Sequence, residues 1–325
     1  INLADGSGDF QEIDPAVIRH LEVYKGANGL VHGASSLGGA IVINTPTALT
    51  TEPYRFSFDS GSFETRRGNA QIAHQGRGYD VFASVTAASA EGWRDNAFGR
   101  STRWSSNLGI PLGARGETRF YLARNDIRQR LPGSQTREDA LNNPRGTSDA
   151  NIANRVARDI DSTRISNRTT LAVGPGVVTV TGYFFDKALF HPLSFGIIDQ
   201  EGQFYGGGAA YGATAGAHRV TLGVNLRAGD NDARIFAPLS GAGFTEQRSD
   251  NREQARHLSV YGQHEWTFDP AWMLVSGVQV IRDERDFDNR LNAEQSADTT
   301  YDGVSPKLGV IFRPAASQQL FANIS

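Results

Sequence analysis

The chain has 325 residues, a net charge of −3 and no cysteine, which excludes the basic footprint of a nucleic-acid binder, a disulfide framework and a thiolate metal centre. No run of about 18 apolar residues occurs, so no helix is expected to cross a membrane. A β-barrel stays open, because alternating strands leave hydropathy low, and 36 glycines with 10% aromatics suit an all-β chain.

In chain order, Asp14 and Pro15 offer an N-cap and a first helical position, which predicts a short helical turn. "HLEVYKG" (20–26) and "AIVINT" (40–45) then read as strands flanking a glycine-rich stretch, Gly26 to Gly39. Such stretches can cradle phosphate, but neither G-x-G-x-x-G nor G-x-x-x-x-G-K-[ST] is present, so the glycines are read as positive-φ turns and points of close backbone approach. "TPTALTTEP" (45–53) reads as a linker.

From about residue 53 the pattern is period two. In "RVTLGVNLR" (219–227), Val220, Leu222, Val224 and Leu226 share one face and Thr221 and Asn225 the other. In "HLSVYGQHEWTF" (257–268), Leu258, Val260, Trp266 and Phe268 alternate with His257, Ser259, Gln263 and Glu265, and in "VSPKLGVIF" (304–312), Val304, Leu308 and Val310 alternate with Ser305, Lys307 and Gly309. About thirteen such segments of roughly ten or more residues are predicted, the length of barrel strands that span a bilayer. Every second connection is tight, near 74–78, 111–115, 174–176, 215–217, 269–271 and 313–317. Apart from the hairpin at Ser60–Ser62, the others are read as longer: 92–99, 128–160, 188–202, 229–250 and 287–299. Segregated tight turns and long loops are the mark of an outer-membrane barrel. Trp266, Phe268 and Trp272, at a tight turn, read as an interfacial girdle or as ordinary core aromatics.

Residues 18–26, "IRHLEVYKG", and 33–44, "GASSLGGAIVIN", resemble the C-terminal part of the plug domain of TonB-dependent outer-membrane receptors, with Lys25 and His32 as departures from the family's usual Arg and aromatic. The resemblance implies an all-β fold: a transmembrane antiparallel β-barrel, here about 13 of about 22 strands, in a size class whose lumen is plugged. Residues 1–50 would be the end of the plug and 51–325 the first half of the barrel. The plug's start, its TonB box and the last strands would lie outside a chain that does not begin with Met. "RQRLPGSQTREDALNNPRG" (128–146), with a short helix opening near Thr136, resembles a loop of receptors of the ferric dicitrate type, and "INLADGSGDFQEIDP" (1–15) points the same way.

The function so implied is import, from the Gram-negative outer membrane, of a ferric siderophore or similar chelate by a monomeric receptor. Its partners would be the TonB energy-transducing complex and outer-membrane lipids, with no nucleic acid and no covalent cofactor. Cobalamin, haem or an oligosaccharide is the alternative cargo, and a passive porin the more distant one, disfavoured by residues 1–47. Anionic, oxygen-rich chelates suit guanidinium and aromatic side chains. The candidate ligand-binding residues are therefore Arg94 and Trp93 in "EGWRDN", Arg128 and Arg130 at the foot of the longest loop, Tyr205 and His191; Arg137 and Arg234, the latter placed in the loop after the ninth barrel strand, belong to the same basic set. The competing reading is that these arginines pair with nearby carboxylates or with lipopolysaccharide phosphates. No G-x-S-x-G motif and no zinc-like histidine spacing occurs, so no enzyme is expected.

Overall fold

The computed structural model describes residues 10–25, 39–239 and 246–324. Asp14 caps the 3-10 turn Pro15–Val17, its Oδ1 accepting from the Ala16 amide at 3.0 Å. Strands β1 (His20–Lys25) and β2 (Gly39–Asn44) pair antiparallel. The glycine-rich residues 26–38 between them lie outside the described residues. The stretch read as a linker is held to the large sheet: Asn107 donates to the Pro46 carbonyl at 2.9 Å and Gln75 to that of Ala48 at 2.7 Å.

Thirteen strands follow as one antiparallel meander, each paired with its sequence neighbours. They are β3 (Tyr54–Gly61), β4 (Thr65–Gly76), β5 (Tyr79–Ala90), β6 (Gly99–Pro111) and β7 (Gly116–Gln129). Two short helices, α1 (Arg137–Asn142) and α2 (Asp149–Ala153), precede β8 (Asp159–Val173) and β9 (Gly176–Pro192). The rest are β10 (Ile197–Ala215), β11 (His218–Phe236), β12 (Gln247–Asp269), β13 (Trp272–Asn289), β14 (Ala297–Ala315) and β15 (Gln318–Ile324). Strands β3 and β15 are its edges, so the sheet does not close on itself among the described residues. No helix among them is long and apolar enough to cross a membrane.

The short β3–β4 hairpin at 62–64 lies at one end, and the tight turns read near 74–78, 111–115, 174–176, 215–217, 269–271 and 313–317 all lie at the other. Gly78, Gly174 and Gly216 turn the chain there with positive φ, a conformation glycine adopts without a Cβ penalty. The opposite end carries residues 91–98 and 130–158, as expected, but three links there are shorter than the sequence reading. The link read as 188–202 is residues 193–196, because β9 and β10 run on to Pro192 and from Ile197. The one read as 229–250 loses 229–236 to β11 and 247–250 to β12, which places Arg234 on a strand. That read as 287–299 is residues 290–296. The physical reason is visible on β12. From Phe268 to Leu258 its outer face carries Phe268, Trp266, Val260 and Leu258, about the eleven residues a tilted strand needs to cross a bilayer. Beyond Leu258 both faces are polar, Arg256, Gln254 and Arg252 lying outside, so the alternation that betrays a strand disappears while the pairing continues.

The sheet has to be curved. Glu12 meets Lys187 on β9 at 3.2 Å, and Asp14 meets Arg67 on β4 at 3.3 Å. Strands β4 and β9 are five spacings apart, about 24 Å in a flat sheet, whereas residues two apart in sequence are separated by about 7 Å at most. The wall therefore wraps around the N-terminal segment, and its inner face is the one carrying Asn69, Gln71, Ser84, Asn107, Arg119, Ser259 and Gln279, all buried. Leu222, Leu226, Val260, Val280, Val304 and Leu308 are exposed on the outer face. Trp266 and Phe268 (5.5 Å between rings), with Trp272 stacked on Phe312 at 4.3 Å, cluster on that outer face at the turn end.

Candidate functional site at the loop end and inner wall

Residues 91–98 and 130–158 form one cross-stitched cap. Arg94 donates to the carbonyls of Gly133 (2.7 Å) and Gly146 (2.8 Å), and Arg145 returns a bond to the Trp93 carbonyl at 3.1 Å. Asn96, with φ +55°, donates to Leu131 and Val156. Within the longer loop, Thr136 caps α1 through the Asp139 amide, as its sequence predicts, and Ser148 caps α2 in the same way. Arg130 donates to the Arg155 carbonyl at 2.6 Å, and His191 bonds the Ala157 carbonyl.

Four of the six candidate residues thus belong to this cap or its edge: Arg94, Arg130, Trp93 and His191. Arg94 and Arg130 satisfy loop carbonyls. Trp93 is 45% exposed. Arg137 opens α1. The other two candidates lie on the outer face, away from the concave side. Arg128 is in phase with the outward Phe120 and Leu122, out of phase with the buried Asn125 and Ile127, and pairs with Asp161 at 2.8 Å and Asp126 at 3.4 Å. Tyr205 follows the inward, buried Phe204 and lies opposite the outward Phe184. Arg234 bonds Asp199 at 3.1 Å. For Arg128 and Arg234 the carboxylate-pairing reading is the one the geometry bears out.

The inner wall carries a set of residues that the sequence did not single out. Arg103 donates to the Gln11 carbonyl at 3.0 Å, Gln71 to that of Ala16 at 2.8 Å, and Gln11 to Gln129 at 2.9 Å. With Arg67–Asp14 and Lys187–Glu12 these contacts hold residues 11–16 against four wall strands. Below them, Arg119 is 4% exposed and uses all five of its N–H donors: two on Asp80, two on Glu117 and one on Asn107. Asn107 is the residue that holds Pro46. These partners are 53 to 175 residues apart where they cross from segment to wall, beyond any local sequence signal. A cavity of about 810 Å³ remains between segment and wall, lined in part by Arg19, Arg119, Arg164, Arg168, Glu117 and Tyr121. Arg164 lies 4.6 Å over the Phe185 ring, a cation–π contact.

No curated protein sequence matched the chain. Among solved structures, it resembles the unliganded ferric citrate transporter FecA, with 14% identity and a TM-score of 0.81, covering 96% of this chain and 50% of that one. It resembles the siderophore receptor PiuA from Acinetobacter baumannii with 13% identity and a TM-score of 0.78, covering 94% and 54%. It also resembles the copper transporter OprC with 12% identity and a TM-score of 0.76, covering 98% and 52%. At these identities the likeness is one of fold, and the chain spans about half the length of each. The family described as TonB dependent receptor-like, beta-barrel, matches residues 31–325, and the chain belongs to that family of transport receptors.

Proposed function

We propose that the chain is part of an outer-membrane receptor that binds a ferric siderophore or a similar iron chelate and imports it with energy supplied by a TonB complex. The observation that carries this reading is the N-terminal segment latched by polar contacts into the concave side of a family-typical wall. A passive pore has no use for such an obstruction; a gated importer does, and residues 1–50 would be the end of its plug. The neighbours titled ferric citrate transporter and siderophore receptor support an iron chelate. The neighbour titled copper transporter means that fold alone does not choose the cargo. Chemistry favours an anion: Arg19, Arg164 and Arg168 line the cavity, and guanidinium groups suit multidentate oxygen ligands at modest dehydration cost. At the loop end, Arg94, Arg130, Trp93 and His191 are the proposed vestibule residues, reached by the cargo first.

The test is uptake of radiolabelled iron by cells that lack their own chelate receptors and express the full-length receptor, across a panel of ferric chelates. The expected result is saturable uptake of at least one anionic chelate, abolished when the inner-membrane energy complex is deleted. Uptake of cobalamin, haem or an oligosaccharide with none of any ferric chelate would replace the cargo. Uptake unaffected by loss of the energy complex would replace the mechanism.

A further inference from the structure

One face of the β1–β2 hairpin gathers its polar groups around a single carboxylate. His20, Glu22 and Tyr24 alternate along β1 and so share one side of it, and register sets Asn44 opposite His20. Glu22 Oε1 lies 3.2 Å from His20 Nε2 and accepts from Asn44 Nδ2 at 3.0 Å, while Glu22 Oε2 accepts from the Tyr24 hydroxyl at 2.6 Å. These bonds stay within the hairpin, so they do not fasten it to the wall. The face is open: the His20 and Glu22 side chains are 48% and 42% exposed, and His20 and Asn44 line the cavity of about 810 Å³.

The spacing around Glu22 is that of ligands on one metal ion. Two donor atoms each about 2.1 Å from a metal, at right angles, are about 3 Å apart. The imidazole nitrogen and the phenol oxygen each stand near that distance from a different oxygen of Glu22. An ion held by both carboxylate oxygens would therefore have the other two atoms as its neighbours. Among the described residues no group of three or more His, Cys, Asp or Glu could hold a metal; here the phenol completes the set. Deprotonated, it is an anionic oxygen donor of the kind that ligates haem iron. Carboxylate is another oxygen donor, and imidazole suits iron. Sites for Mg2+ and Ca2+ are built of oxygen alone, and thiolates mark the softer ions, so this mixture fits iron(III) best.

We propose that His20 Nε2, both carboxylate oxygens of Glu22 and Tyr24 Oη bind a ferric ion, with Asn44 steadying the carboxylate from outside. Binding is ligand exchange with no change of oxidation state. The protein atoms displace water or the oxygens of a weak chelator, and the Tyr24 hydroxyl gives its proton to the water or chelator released. The remaining positions of an octahedral ion stay with water or a small chelator. The site lies on the hairpin, away from the loop-end residues, so it does not rest on the identity of the cargo.

The test uses the purified full-length receptor in detergent, with ferric nitrilotriacetate as the iron source and visible absorption as readout. A phenolate bound to iron(III) gives a charge-transfer band that a hydrogen-bonded tyrosine lacks. The band is expected in the wild type and in Tyr54→Phe, which removes an exposed hydroxyl from β3. Tyr24→Phe loses one oxygen and nothing else, and should abolish it. Glu22→Gln and His20→Gln should weaken the band and hold iron at least about tenfold less tightly through gel filtration. A wild type without the band, or a band that persists in Tyr24→Phe, overturns the proposal. So does iron held equally by the wild type and Glu22→Gln. Displacement of the iron by an equal concentration of Zn2+ would overturn the ferric assignment. The uptake assay described above keeps the two readings apart: energy-dependent uptake by a wild type that shows no band sinks this site alone, and a band without such uptake sinks the transport reading alone.

Discussion

Asp80→Asn probes the buried junction between wall and N-terminal segment. Asp80 accepts two bonds from Arg119, at 2.6 and 2.8 Å, with the two side chains 6% and 4% exposed. Asparagine keeps the shape, removes the charge and turns an NH2 group toward a guanidinium that can only donate. Breaking a buried ion pair by removing one partner costs roughly 3–5 kcal/mol, because the other charge stays buried. Glu117 also binds Arg119 and is 38% exposed, so the lower end of that range is expected. Arg119→Met should cost a similar amount by stranding Asp80. The double variant should be less destabilised than the sum of the singles by about 1.5–3 kcal/mol. The assay is urea unfolding of the full-length receptor in vesicles, followed by tryptophan fluorescence. Because Arg119 also fixes Asn107, which holds Pro46, a cysteine at Thr50 should react faster with an impermeant thiol reagent in the Asp80→Asn background. Single effects below about 1 kcal/mol, the size typical of exposed pairs, or strict additivity, would refute the view that this cluster couples wall to segment.

Leu222→Arg places a charge on the outer face and should cost about 2–4 kcal/mol near the bilayer midplane, whereas Asn225→Leu on the inner face should be far milder; equal loss of assembled receptor would reverse the faces. Arg94→Ala removes two bonds between the loops and should raise the rate of tryptic cutting within 130–158 at least about tenfold; an unchanged rate would mean that the cap is held by its other bonds. Gly92→Ala sets a Cβ 2.6 Å from the Ala97 carbonyl oxygen at φ +79°, costing about 1–2 kcal/mol from the backbone alone, and hydrogen exchange of residues 91–98 should accelerate.

Where one face was apolar and the other polar, the sequence disclosed the structure. Leu222 and Val224 against Asn225, and Leu258 and Val260 against His257 and Ser259, read correctly because the bilayer-facing side must alternate with an interior lined by polar groups. The strand extensions at 199–202 and 229–234 read as loops because Asp199, Gln200, Glu201, Asp230, Asn231 and Asp232 put polar groups on both faces, whereas 188–192 is largely apolar, with Leu189 buried, and reads as a loop only because Pro192 closes it and Gly196 follows. Arg128 continues the phase of Phe120 and Leu122, so β7 carries it outward beyond the point where the sequence reads as the foot of a loop. The caps at Asp14 and Thr136 were legible because their bonds close within three residues. Arg67–Asp14 and Lys187–Glu12 were not, since each joins the N-terminal segment to a wall strand that closes over it, and Arg119–Asp80 was not, since it bridges β7 and β5 over Gly109 on the strand between them.

The contacts made by residues 11–16 also have a mechanical meaning. By register the wall partners descend from Gln129 through Arg67, then Arg103 and Lys187, then Gln71, to Asn107 and Gln75, which hold residues 46–48 closest to the turn end. A tug along the barrel axis would therefore meet a ladder of bonds at successive depths. Cutting one rung passes its load to the next, so release would be graded along the wall.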